Sequence, residues 1–122
     1  MWEHEQDLDA FLASHRIAKR WQHATESWHV RLRGLGGHGT WRGIDPLAGL
    51  SPGSADGVVA IITRAAVHRS AWKAFSAVGG VVNDELHRSP GLIDVVGVGE
   101  APVGRLATFS LWESLDAART FA

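Results

Sequence analysis

Residues 58–66 read Val58-Val59-Ala60-Ile61-Ile62-Thr63-Arg64-Ala65-Ala66, and residues 92–99 read Leu92-Ile93-Asp94-Val95-Val96-Gly97-Val98-Gly99. Both are short, β-branched and bounded by Gly, Pro and Ser, which is how a buried strand reads. Between them Ser70 offers an N-cap, and Ala71, Phe75, Val78, Val82 and Leu86 recur at helical spacing until Ser89-Pro90-Gly91 stops the pattern. Gly79-Gly80 weakens that helix in its middle, by about 1 kcal/mol per Gly against Ala, and would suit a close backbone approach. Residues 105–112 form a third strand of this stretch, joined to the second by Glu100-Ala101-Pro102-Val103-Gly104 as a hairpin-like turn. Ser114 then opens a helix through Leu115-Asp116-Ala117-Ala118-Arg119.

The order β-α-β-β-α supplies five elements of the ferredoxin-like β-α-β-β-α-β unit. It predicts an α+β sandwich with an antiparallel sheet and its helices on one face. Upstream, Leu8, Phe11, Leu12 and His15 fall at i, i+3, i+4 and i+7, so residues 7–23 are expected to be one helix with His15 turned toward the sheet. Trp28-His29-Val30-Arg31-Leu32-Arg33 alternates at period two and reads as a half-buried strand. Residues 34–57 carry eight Gly and two Pro, too many for regular structure, so they read as a long loop. Met1-Trp2-Glu3 matches Leu111-Trp112-Glu113, and Leu8-Asp9-Ala10 matches Leu115-Asp116-Ala117, with the two Trp 110 residues apart. Such self-similarity suggests one repeat length. The expected organisation is a closing helix and strand of a preceding repeat over 1–34, a linker loop over 35–57, and a second ferredoxin-like repeat over 58–122. On this reading the chain is truncated at both ends.

Composition narrows the function classes. Of 122 residues, 45% are apolar and 20% charged, a globular balance sufficient for one domain with a core. Twelve Lys and Arg against thirteen Asp and Glu leave a net charge of −1, with no basic excess for a nucleic-acid backbone. The absence of Cys excludes a disulfide framework, thiolate ligation and a cysteine nucleophile. The acidic start Met1-Trp2-Glu3-His4-Glu5 is no secretory signal, and no apolar run approaches a membrane span. A cytoplasmic location is expected, with peripheral membrane contact left open. Six Trp, seven His and no Tyr suggest a bulky apolar pocket with imidazoles near it.

The chemistry-bearing candidates are scattered. Gly34-Leu35-Gly36-Gly37-His38-Gly39 spells G-x-G-x-x-G after a strand, but Thr40-Trp41-Arg42-Gly43-Ile44-Asp45-Pro46 cannot open the helix that a dinucleotide site requires. The loop reads instead as a flexible, ligand-covering segment carrying His38, Trp41 and Arg42. No metal-ligand spacing such as H-x-x-x-H is present. His15, amid Leu8, Phe11 and Leu12, is either a ligand for haem iron or a structural imidazole at the core edge. Arg64 shares a strand face with Val58, Ala60 and Ile62, and there it either meets a partner or ligand or snorkels from the strand end. Thr108, Ser110 and Trp112 share a face with Leu106 and would line a pocket or an exposed sheet edge. No Ser-His-Asp triad is legible from spacing.

Several phrases, in order, resemble spheroidene monooxygenase-like proteins, the carotenoid 2-ketolases of the acyclic pathway. They are Trp28-His29-Val30-Arg31-Leu32, His38-Gly39-Thr40-Trp41-Arg42-Gly43, Thr63-Arg64-Ala65, Pro90-Gly91-Leu92, Gly97-Val98-Gly99-Glu100-Ala101-Pro102 and Ala107-Thr108-Phe109-Ser110-Leu111-Trp112. The resemblance implies a dimeric α+β barrel of two ferredoxin-like repeats, packing as a homodimer or against the missing repeat. It implies O₂-dependent hydroxylation and ketolation of an acyclic carotenoid or similar apolar substrate, with haem as cofactor. Under it His15 is the haem-ligand candidate, Arg64, His38 and Trp41 are the catalytic candidates, and Trp28, Thr108, Ser110 and Trp112 are pocket candidates. Two alternatives stay open: a cofactor-free monooxygenase of the small α+β barrel type, and a non-catalytic domain that binds apolar ligands.

Overall fold

A computed structural model of the chain describes every residue except Met1, Glu3, Pro52 and residues 100–103. It divides into two compact units, Met1–Leu50 and Ser51–Ala122.

The second unit follows the expected order. β1 (Val59–Ala66) leads through a 3-10 turn, Arg69–Ala71, into the helix we label α3 (Trp72–Arg88). β2 (Leu92–Gly99), β3 (Arg105–Trp112) and α4 (Leu115–Phe121) complete it. The sheet is antiparallel with β3 in the middle, order β1-β3-β2. The fold is therefore α+β, with the β-α-β-β-α connectivity read from the sequence. The expected turn over residues 100–104 lies, apart from Gly104, outside the described residues.

Local chemistry sets the boundaries. Ser70 does not cap α3, whose N-cap position is Ala71 with no side-chain bond; His68 caps the preceding 3-10 turn, its Nδ1 lying 2.8 Å from Ser70 Oγ and accepting the Ser70 N–H. Ser114 caps α4 by accepting the Ala117 N–H at 3.1 Å. Gly91 turns the chain into β2 with φ of 80°, and a Cβ there would meet Ala117 Cβ at 2.6 Å, so only glycine fits. β2 takes a one-residue irregularity between Leu92 and Asp94.

The core lies between the helices and one face of the sheet. Trp112, 2% exposed, is its largest side chain, packed 5.6 Å from the Phe121 ring of α4. Val59, Leu86 and Ala118 are buried in the same unit. From the expected apolar stripe of α3 only Leu86 is buried, while Phe75, Val78 and Val82 stay exposed. An added Cβ at Gly79 or Gly80 meets nothing within 4 Å, so the close approach expected there is not made among the described residues.

The first unit departs from expectation. Residues 7–23 do not form one helix: α1 (Glu5–Ser14) and α2 (Arg16–Trp21) are separated by His15, which is extended at φ −72° and ψ 137°. Local side-chain bonds compete with the helix at that point. Ser14 Oγ donates to Ala10 O at 2.7 Å, and the Ile17 N–H donates to His15 Nδ1 at 3.2 Å. Residues 28–33 pair with no strand among the described residues. Alternation is necessary for a half-buried strand but a ladder partner is needed as well, and this unit supplies none. Instead Arg31 is fixed by ion pairs to Glu5, at 2.9 Å, and to Asp9, both on α1. Hydrogen bonding to Asp9 and then to Glu5 pushes the Arg31 pKa above its ordinary value.

Candidate active site

Strand register decides which side chains share a face. Arg64 lies opposite Ala107, which lies opposite Val98; Ile62, Phe109 and Val96 form the next row; Ala60, Leu111 and Asp94 the third. Directly paired residues project to the same side of an antiparallel sheet. Arg64 therefore stands on one face with Ala60 and Ile62, as alternation predicted. That face is open: Ile62, Val96 and Val98 are 56%, 54% and 50% exposed, and Phe109 and Leu111 are half-buried. It is a largely apolar platform with one guanidinium, itself half-buried, at the level of Ala107 and Val98, and with the exposed Asp94 carboxylate in the row of Leu111.

Thr108, Ser110 and Trp112 occupy the other face, together with Leu106. Here the helices close it. Trp112 Nε1 donates to Ser110 Oγ at 3.0 Å, so the indole N–H is satisfied inside the core. Ser110 and Trp112 are buried and serve the packing, and Thr108 is half-buried between strands.

The remaining candidates sit in the first unit. Trp28 and His38 are exposed. Trp41 starts a tight reversal in which its N–H donates to Ile44 O at 2.7 Å and the Ile44 N–H donates to Trp41 O at 3.1 Å. The two central residues, Arg42 and Gly43, have φ of 54° and 80°, the signature of a type I′ turn. The Leu47 side chain lies over Gly37, where a Cβ would come within 2.6 Å of Leu47 Cδ1. No helix follows Gly39, which removes the dinucleotide reading. The structure thus gathers Arg64 with an apolar sheet face in one unit and His38, Trp41, Trp28 and His15 in the other.

One feature of the second unit escaped the sequence. A cleft of about 390 Å³ lies between the C-terminal end of α3, the Pro90-Gly91 turn and α4. Glu85 and Glu113 stand at its wall and Ala117 and Phe121 contribute apolar lining.

Comparison with known proteins bears on the whole chain. No protein-family model matches it. A spheroidene monooxygenase of Rubrivivax gelatinosus is 36% identical over 123 aligned residues, covering 100% of this chain and 48% of that protein. The spheroidene monooxygenase of Rhodobacter capsulatus is 31% identical, over 97% of this chain and 50% of the relative. That of Cereibacter sphaeroides is 31% identical, over 100% of this chain and 38% of the relative. The chain is thus similar to spheroidene monooxygenases over nearly all of its length. It spans about half the length of the curated relatives it matches. Among solved structures, a mutant of SnoaB, a cofactor-independent oxygenase from Streptomyces nogalater, overlaps 55% of this chain and 67% of its own, at 24% identity and a TM-score of 0.46.

The resemblance read from the sequence implied haem, with His15 as its ligand. The surroundings of His15 do not fit that role. Its Nδ1 is taken by the Ile17 N–H, its ring stacks on Phe11 with centroids 4.6 Å apart, and the residue is exposed in the break between α1 and α2. An axial ligand needs a nitrogen aimed into an enclosed apolar pocket, oriented by a bond from its other nitrogen to an acceptor. Among the described residues no group of three or more His, Asp or Glu is placed to hold a metal ion.

Proposed function

We propose that the chain is part of an O₂-dependent oxygenase acting on an acyclic carotenoid or a similarly apolar substrate, and that the open sheet face bearing Arg64 belongs to its working surface. The observation that carries this reading is the likeness to spheroidene monooxygenases from one end of the chain to the other. The physical character of the sheet face supports it. A polyene has no polar groups to satisfy, so its site must be apolar, extended and low in competing hydrogen bonds. Ile62, Phe109, Leu111, Val96 and Val98 supply such a surface on three strands.

The face is completed by a second layer, either the sheet of a second copy or further chain of the same protein. An antiparallel sheet tolerates one solvated face when that face is polar, and this one is mostly apolar, with Arg64 and Asp94 as its charged residues. Stacked sheets bury such faces about 10 Å apart. In that dry interior the Arg64 charge favours any oxygen atom that gains negative charge during the reaction.

The reaction consists of successive hydroxylations at one carbon. Each inserts one atom of O₂ into a C–H bond and releases the other as water, consuming two protons and two electrons from an external donor. Two hydroxylations leave a geminal diol, which loses water to give the ketone. No step is routed through haem, since His15 does not fit it.

The test is product formation from spheroidene by the protein in aerobic buffer with a reductant, comparing the native sequence with Ile62→Asp and Arg64→Met. The reading expects both substitutions to suppress the oxygenated product by at least about tenfold, a loss near 1.4 kcal/mol of transition-state stabilisation. Undiminished product from both variants would remove the sheet face from the mechanism.

A further inference from the structure

The charges of the first unit are unevenly placed. Between residues 15 and 33 the chain carries Arg16, Lys19, Arg20, Arg31 and Arg33 against a single acid, Glu26, although the whole protein has a net charge of −1. Arg31 is spent on Glu5 and Asp9. Among the described residues no carboxylate pairs with Arg16, Lys19 or Arg20. These three lie on α2, whose side chains are ordered around the axis by the 100° step. Ala18 is the buried side; Ile17 and Trp21, four apart, lie together next to it; Arg20, Arg16 and Lys19 follow in sequence round the helix. The apolar pair does not enter the core. Ile17 and Trp21 are 46% and 40% exposed, Trp21 turning one side to the Phe11 and His29 rings and leaving the rest to solvent, and Trp28, further along the same segment, is 66% exposed.

Exposed Trp and Ile beside unpaired cations is the pattern of an interfacial element. Tryptophan is favoured at the level of lipid headgroups, where its ring is buried and its N–H remains hydrated. Lysine and arginine beside it gain from an anionic leaflet at about 1 kcal/mol each near the surface. A soluble apolar ligand would match Ile17 and Trp21 but not three adjacent cations, whereas an anionic bilayer matches both halves of the pattern.

We infer that α2 and the segment through Trp28 form a membrane-surface contact, in which Arg16, Lys19 and Arg20 meet anionic lipid headgroups while Ile17, Trp21 and Trp28 enter the headgroup–acyl boundary. The contact lies in the plane of the interface; no helix among the described residues is long and apolar enough to cross a membrane. It does not depend on the oxygenase reading, and it would give any enzyme of a lipid-dissolved substrate a place to collect it.

The experiment is co-sedimentation of the 122-residue protein with vesicles of phosphatidylcholine alone and of phosphatidylcholine mixed with phosphatidylglycerol. The native protein partitions onto the mixed vesicles, with a blue shift of tryptophan emission, and partitions less as salt is raised. The variant Arg16→Glu/Lys19→Glu/Arg20→Glu, whose changes touch only exposed side chains, keeps its circular dichroism and loses partitioning by about 100-fold. A second variant, Trp28→Ser, keeps the salt dependence but binds more weakly and shows a smaller blue shift. Absence of binding to mixed vesicles, equal binding to both vesicle types, or charge-reversed protein that binds as the native does would each overturn the inference. So would a change of oligomeric state, rather than of lipid binding, on charge reversal.

Discussion

Arg64 and Trp112 project from opposite faces of one three-stranded sheet, Arg64 on the open side and Trp112, through Phe121, under α4. The two residues are therefore expected to fail differently. Trp112→Ala empties the largest buried position and should cost about 3–5 kcal/mol in urea unfolding, a large fraction of a small domain's stability. Arg64→Met should leave the free energy of unfolding within about 1 kcal/mol of native while reducing product formation. Equal loss of stability in both would place Arg64 in the packing and not at a working surface.

The Trp112–Ser110 hydrogen bond gives a finer test of the closed face. Ser110→Ala strands the indole N–H in the core and should destabilise by about 1–3 kcal/mol. Below the transition the folded variant should retain native activity. A selective loss of activity without loss of stability would return Ser110 to the list of substrate contacts.

Much of the second unit was legible because two independent signals agreed there. β1 and β2 are β-branched runs bounded by turns, and α3 ends where Ser89-Pro90-Gly91 says it must. Alternation also placed Arg64 apart from Ser110 and Trp112. What alternation cannot say is which face the helices cover, and so Ser110 and Trp112 were expected at a pocket and are found in the core. The single helix over residues 7–23 failed for a different reason: Leu8, Phe11, Leu12 and His15 keep helical period, but His15 takes its neighbour's amide and ends the helix locally. The cleft beside Glu85 and Glu113 left no trace in the sequence, since its walls come from the end of α3 and the residue after β3. Gly91, read from the sequence only as part of the stop after α3, is held there by positive φ and by Ala117.

That glycine supports a direct prediction. Gly91→Ala forces a Cβ against Ala117 and asks an L-residue to hold φ of 80°. The combined cost should be at least about 1–2 kcal/mol by thermal or urea unfolding. The double variant Gly91→Ala/Ala117→Gly should recover the steric part and leave the backbone part.

Gly80 should behave in the opposite way. It lies inside α3 with open space around the missing Cβ, so Gly80→Ala should stabilise the helix by about 1 kcal/mol. If stability rises while activity holds, the glycine pair serves no close approach. If stability rises and activity falls, another chain comes against α3 at that point.

His15→Ala should shift the break between α1 and α2 without touching any cofactor chemistry. The expected readout is a change in far-ultraviolet circular dichroism, with hemin titrations of native and variant protein that superimpose. A Soret shift seen with the native protein and absent from His15→Ala would reinstate the ligand role.

The central claim, that this chain serves an O₂-dependent oxygenation of an apolar polyene, is tested most directly by isotope. Spheroidene is supplied to the protein under ¹⁸O₂ with a reductant, and the hydroxylated product is analysed by mass spectrometry before the ketone can exchange with water. The account predicts one ¹⁸O atom per hydroxyl group introduced, and a product yield that falls in Arg64→Met. Product carrying oxygen from water, or yields of native and Arg64→Met protein that coincide, would contradict it.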